Sequence, residues 1–312
     1  MAAPMLTVLA AAAGPPPPSF PGLLLDWHAD PLVIAGLLAG GLLYGAGLRR
    51  LAAAGRDWPR RRTVAFMAGL ATVAVALLSA AATYEDALFS VHVAQHMVLT
   101  MLAPPLLALG APITLALMTT PAPVRKRITR LVHSAPVKAL SHPMLAWVIF
   151  TLSLYVLYYS PLFGLSLRNP AVHVFVHVHF LLAGLLFWWP IIGVDPTRWR
   201  LHPGARLGLL FLMLPFHAFL GVALMGSNAL LDPAMAALAP AWADPLAHQQ
   251  AGGGILWGAG DLVSVIAALG IMVSWASDDE KQARREDRRL DRDRAASGPL
   301  RPARPGQQHR PG

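Results

Sequence analysis

Seven apolar stretches alternate with short polar ones along the chain, near residues 31 to 48, 63 to 83, 91 to 118, 143 to 163, 171 to 192, 206 to 227 and 254 to 276. Each holds about 20 residues, and a helix of that length, rising about 1.5 Å per residue, matches the ~30 Å hydrocarbon core of a bilayer. The pattern predicts an all-α fold, a polytopic membrane helix bundle with seven transmembrane helices over residues 31–276. A run of Ala and Leu in residues 5 to 13 is too short to span and lacks the basic start of a signal peptide. With Pro15 to Pro18 it reads as part of an extracytoplasmic leader, residues 1–30. Residues 277–312 form a charged tail, expected to be helical near Lys281 to Arg294 and disordered beyond Gly298.

Composition agrees with a membrane protein. Only 13% of the 312 residues are charged and 55% are hydrophobic, whereas soluble domains carry about a quarter charged residues. The net charge of +9 is compatible with nucleic acid, an anionic membrane or topology alone, and the positions of the charges choose among them. Basic residues fill the first-to-second connection (Arg49 to Arg62), the third-to-fourth (Arg125 to Lys138), the fifth-to-sixth (Arg198 to Arg206) and the tail; every other connection together supplies Arg168 alone. Positively charged loops stay in the cytoplasm. The N-terminus is therefore expected outside and the C-terminus inside, with an odd number of spans, no nucleic-acid partner and a multi-pass location in a membrane. No cysteine is present, which excludes disulfides, iron–sulfur ligation and thiolate metal sites.

The histidines carry the candidate chemistry. Eight of the twelve fall toward the outer side: His28, His92, His96, His173, His177, His179, His217 and His248. His92 and His96 are four apart, as are His173 and His177, so each pair projects from one helix face at neighbouring turns. That spacing suits a two-ligand metal clasp, and the two pairs share a depth if the third and fifth spans are neighbours. His179 points to nearly the opposite side. His217 and Asp261 lie deeper, where an ionisable group is costly unless paired, and Asp261 is a candidate to hold an imidazole N–H as a carboxylate does beside a metal. The plainer reading of these two is an interhelical polar pair. Met97, Met101, Met213 and Met225 lie near the histidines; thioether and imidazole without thiolate lean toward copper, although Met is also a common core filler. Pro104 and Pro105 remove amide donors within the third span, so that helix must kink or unwind there.

These residues fall in ordered motifs. Ser90-Val-His92-Val-Ala-Gln95-His96-Met97, running into Ala103-Pro104-Pro105 and Gly110-Ala-Pro112, resembles the signature segment of the CtaG-like cytochrome c oxidase assembly factors of bacteria. Pro170-Ala-Val-His173-Val-Phe-Val-His177 through Gly184 to Trp188-Trp189-Pro190 is similar to the second signature, and His217-Ala-Phe-Leu-Gly221, Gln249-Gln250-Ala-Gly252 and Trp257-Gly-Ala-Gly260-Asp261 continue the likeness over about residues 28 to 276. His248 departs from the pattern, where Asp is expected before the Gln pair. The resemblance implies a non-enzymatic assembly factor, acting in formation of the copper centre of an oxidase catalytic subunit.

The expected function is accordingly copper handling on the outer side by His92, His96, His173 and His177, with His217 and Asp261 below them. The partners expected are an oxidase subunit or its assembly intermediate, the lipid bilayer, and a second copy of the chain in a homo-oligomer. Two rival readings share these residues: a b-type cytochrome with bis-His haem, and a metal- or proton-coupled transporter using Asp261 and His217. The sequence carries no convincing inverted repeat, which weighs against the transporter.

Overall fold

The computed structural model describes residues 14–297, and every regular element among them is helical. The Ala/Leu run of residues 5 to 13 and the stretch from Gly298 onward lie outside the described residues. In chain order the helices are α1 (Phe20–Leu25), α2 (Pro31–Ala53), α3 (Arg60–Leu78), α4 (Ala81–Tyr84), α5 (Phe89–Met97), α6 (Ala103–Leu109), α7 (Pro112–Thr119), α8 (Ala122–Val132), α9 (Ala135–Leu140), α10 (Pro143–Tyr158), α11 (Leu162–Arg168), α12 (Pro170–Ile192), α13 (Pro203–Met225), α14 (Ala234–Leu238) and α15 (Pro245–Ser297), with a π-helical turn, Val98–Leu102, joining α5 to α6. Two units divide the chain, one ending at Ile266 and the other beginning at Ala267. Over its described residues the second is the continuation of α15, where Asp278–Lys281 and Glu280–Arg284 pair one turn apart on an exposed surface. Such pairs add only a few tenths of a kcal/mol each.

Six helical stretches among the described residues are long and apolar enough to cross a membrane, and a seventh is formed if α10 and α11 count as one span bent by 70°. The bend falls at Tyr159-Ser160-Pro161, inside the stretch 143 to 163 that the hydropathy pattern reads as continuous. Proline cannot donate to the preceding turn, so α10 ends and α11 departs in a new direction. Pro sits at the first turn of α2, α7, α10, α12 and α13. Its missing N–H is no loss at that position. Asp30 and Asn169 accept from the first free amides of α2 and α12, and Asp244 does so for Leu246 and Ala247 at the start of α15.

The third span is not one helix. Pro104 has no amide to offer the Thr100 carbonyl, and the backbone widens into the π turn just before it. The freed carbonyl accepts from the Trp188 indole N–H of α12 at 3.1 Å. Gly184, one turn before Trp188, makes that approach possible: a Cβ there would stand 2.7 Å from both Pro104 Cγ and the Thr100 carbonyl oxygen. At the other end of this span the chain turns through Gly110 and Ala111, the latter left-handed at φ 51°. Tyr44 donates to the Gly110 carbonyl, and Asp195 accepts from the Ile113 and Thr114 amides that open α7. Two polar anchors thus hold a non-helical backbone within an apolar bundle, where unpaired peptide groups are costly.

Candidate metal centre

The π turn and α6 pack along α12, and the starts of α5 and α12 set the depth of the histidines. His92 is the fourth residue of α5 and His173 the fourth of α12, and His96 and His177 follow one turn later on each. The helices run in the same direction, so His92 meets His173 with ring centroids 5.6 Å apart and His96 meets His177 at 5.4 Å. Within each pair the separations are 4.1 Å and 4.4 Å. Four imidazoles therefore close into a ring.

Two acidic residues join them. α4 ends at Tyr84, and the short turn that follows it places Glu85 and Asp86 at the cluster, just before α5 begins at Phe89. Glu85 Oε2 lies 3.6 Å from His177 Nε2, and Asp86 Oδ1 lies 3.2 Å from His173 Nδ1. Burial pushes the Glu85 carboxyl up to about 7, against the opposing pull of His173 and Gln95. Two sets of three donors arise, His92 with His96 and His173, and Glu85 with His173 and His177; within each set the ligand atoms lie within 4.8 Å of one another. Sequence reasoning missed both acids, since they lie in the turn before the third span, outside the helix that carries His92 and His96.

The surroundings are dry. Phe89, Phe163 and Phe180 pack their rings on His92 and His96, and Phe163 arrives on α11 because of the 70° bend. Both nitrogens of His92 and of His96, Nε2 of His173, Nε2 of His177 and Oε2 of Glu85 are buried without a hydrogen-bond partner. An unsatisfied buried polar group costs about 1–3 kcal/mol, so several in one place make this cluster the candidate site. Imidazole nitrogens and a carboxylate oxygen have the donor chemistry that a transition-metal ion of the copper or zinc kind takes, and the Asp86–His173 contact has the form of the carboxylate–histidine pairing that commonly orients a ligating ring.

The structure does not bring His217 and Asp261 into this group. His217 is buried beside Phe150 and Gly260 with neither ring nitrogen hydrogen-bonded. Asp261 accepts from the Trp257 indole at 2.7 Å, one turn away on α15. The expected His217–Asp261 pair is thus replaced by a contact within one helix, which needs no interhelical alignment. The carboxylate expected from Asp261 comes instead from Asp86. His179 points away as anticipated and pairs with Ser153 Oγ at 2.7 Å. His28 pairs with Thr83 and His248 with Ser90. Gln249 and Gln250 bond the backbone of the 227–231 loop. Met97, Met101 and Met213 are buried, and Met225 is exposed.

Fold and site define a class, a multi-pass helical membrane protein with imidazoles and carboxylates gathered at one end of two parallel helices. Within that class, the chain belongs to the cytochrome c oxidase caa3 assembly factor (Caa3_CtaG) family, which matches it over residues 42–278. It is similar to an uncharacterized protein of Mycobacterium bovis, 38% identical over 290 residues that cover 90% of this chain and 44% of the relative. A Mycobacterium tuberculosis protein matches to the same extent, and one of Mycobacterium leprae is 40% identical over 287 residues, 89% of this chain and 43% of the relative. The chain therefore spans less than half the length of these curated relatives. No solved structure matches it.

Proposed function

We propose that the protein accepts copper on the outer face of a bacterial plasma membrane and passes it by ligand exchange to a cytochrome c oxidase subunit or assembly intermediate. In this reading the bundle has seven spans, the bent α10–α11 pair being the fourth, with its N-terminus outside and its C-terminus in the cytoplasm. The distribution of Lys and Arg supports that orientation. No bond-making chemistry is required, so the protein is not an enzyme, and copper is its cargo. The observation that carries the reading is the ring of four imidazoles, three of them buried and each with a buried nitrogen that has no hydrogen-bond partner. Neutral imidazole is a good copper ligand, and Cu²⁺ heads the divalent affinity order.

The haem alternative is disfavoured by the same geometry. A porphyrin would have to lie between facing rings, yet these rings and their Phe neighbours are already in mutual contact at 4.1–5.6 Å. The test is copper stoichiometry and an optical spectrum on purified protein. Bound copper that is lost in the His96→Ala/His177→Ala variant, with no Soret band, is the expected result. Equal copper in both proteins would remove these residues from the proposal.

A further inference from the structure

Resting on that reading of the site, we propose that the cluster is two overlapping ion positions rather than one: an inner position formed by His92, His96 and His173, and an outer position formed by Glu85, His173 and His177, between which the ion passes by exchanging ligands around the shared His173. Three observations carry this. First, the five donors do not form one set. Each group of three holds its ligand atoms within 4.8 Å of one another, and His173 is the member common to both. An ion bridged by His173 can thus trade Glu85 and His177 for His92 and His96 without ever losing every protein ligand.

Second, exposure is graded. The Asp86 side chain is 53% exposed, Glu85, His173 and His177 are between 10% and 13%, and His92 and His96 are at 0%. A small cleft lined by Glu85, Asp86, Phe89, Phe163 and Leu167 lies at the acidic end. An ion arriving from water meets carboxylate first and imidazole last. Third, the donor chemistry changes along that path. Carboxylate oxygen is a hard ligand that neutralises charge as hydration is lost, whereas the all-imidazole set favours the borderline and softer ions. The outer position therefore admits the cation and the inner one retains it.

Asp86 is a positioning residue here. It engages His173 Nδ1 and leaves Nε2, which has no hydrogen-bond partner, as the donor to either position. Because His173 is shared, its loss removes both positions, and at most one ion is held at a time.

The experiment uses Cu²⁺ with the full-length protein in detergent, read by metal stoichiometry and by electron paramagnetic resonance. Wild type should bind one ion. Glu85→Gln, nearly isosteric with the native side chain, should retain one ion with an all-nitrogen signature and bind it at least about tenfold more slowly. His96→Ala should retain one ion with mixed nitrogen and oxygen ligation, and His173→Ala should bind none. Asp86→Asn should weaken binding about 10–100-fold without changing the signature, as expected for a group that orients a ligand. If wild type binds no copper, the functional reading itself fails. If wild type binds copper and either Glu85→Gln or His96→Ala abolishes it, or Glu85→Gln takes copper up as fast as wild type, the two-position arrangement is wrong. Should His96→Ala lose its helicity by circular dichroism, the uptake rate of Glu85→Gln decides alone.

Discussion

Replacing Gly184 by Ala should damage the protein although Ala is the better helix former. The added Cβ would stand 2.7 Å from Pro104 Cγ and from the Thr100 carbonyl, and 3.1 Å from Thr100 Cα. Two of these atoms are backbone and one belongs to a rigid ring, so nothing flexible can yield, and α12 must back away from the π turn. Overpacking of this kind costs about 1–3 kcal/mol. The retreat also stretches the 3.1 Å bond from Trp188 to the Thr100 carbonyl, worth about 1 kcal/mol. Against this stands a propensity gain of about 1 kcal/mol. The net expectation is a loss of about 1–3 kcal/mol. Gly36→Ala is the internal control, because a Cβ there meets nothing within 4 Å and only the propensity gain remains. Both variants would be unfolded in the same micelles and followed by helicity. The displacement should also spread the His92–His173 and His96–His177 contacts, since Gly184 lies two turns below His177 on the same helix, so copper affinity should fall with stability in Gly184→Ala alone. Equal stability of the two variants would refute the packing argument.

Two further substitutions test the polar anchors of the third span. Trp188→Phe keeps most of the ring but leaves the Thr100 carbonyl without its donor; a loss of about 1–3 kcal/mol is expected, measured as above. At the other end, Asp195→Ala removes the acceptor for the Ile113 and Thr114 amides and should cost about 0.5–2 kcal/mol, as loss of a helix cap does. The Asp195 carboxyl also sets a pH dependence. Burial raises its pKa, against the hydrogen bonds from Thr114 and Ile113. The folded state therefore holds this proton over a window where the unfolded state has released it, and stability falls as pH rises from the ordinary aspartate value through the raised one, then levels. Subtracting the unfolding profile of Asp195→Asn from that of wild type should show this fall, and a flat difference would contradict the assigned cause.

The apolar pattern was sufficient to read an all-helical membrane protein, because every span must close its own backbone hydrogen bonds in lipid and the run of apolar residues records that requirement directly. The i,i+4 histidine pairs were legible for the same reason: helical periodicity alone puts His92 beside His96 and His173 beside His177. Even the third-span break could be read from Pro104 and Pro105. Other features depended on which helices are neighbours. That α5 and α12 lie side by side in parallel follows from Gly184 and Trp188 docking on the π turn, a fit between two distant segments. Once those helices met, the turn after α4 and the bent α11 delivered Glu85, Asp86 and Phe163 to the cluster, although none of the three lies on a helix that carries the histidines. Asp261 shows the converse: its depth in a span marked it as needing a partner, and that partner proved to be Trp257 on its own helix. Sequence thus determined which side chains had to be paired or ligated, since burial in lipid penalises them individually. Tertiary structure decided with what, since pairing depends on distances between helices, and these are set by close packing of backbones rather than by the spacing of residues along any one of them.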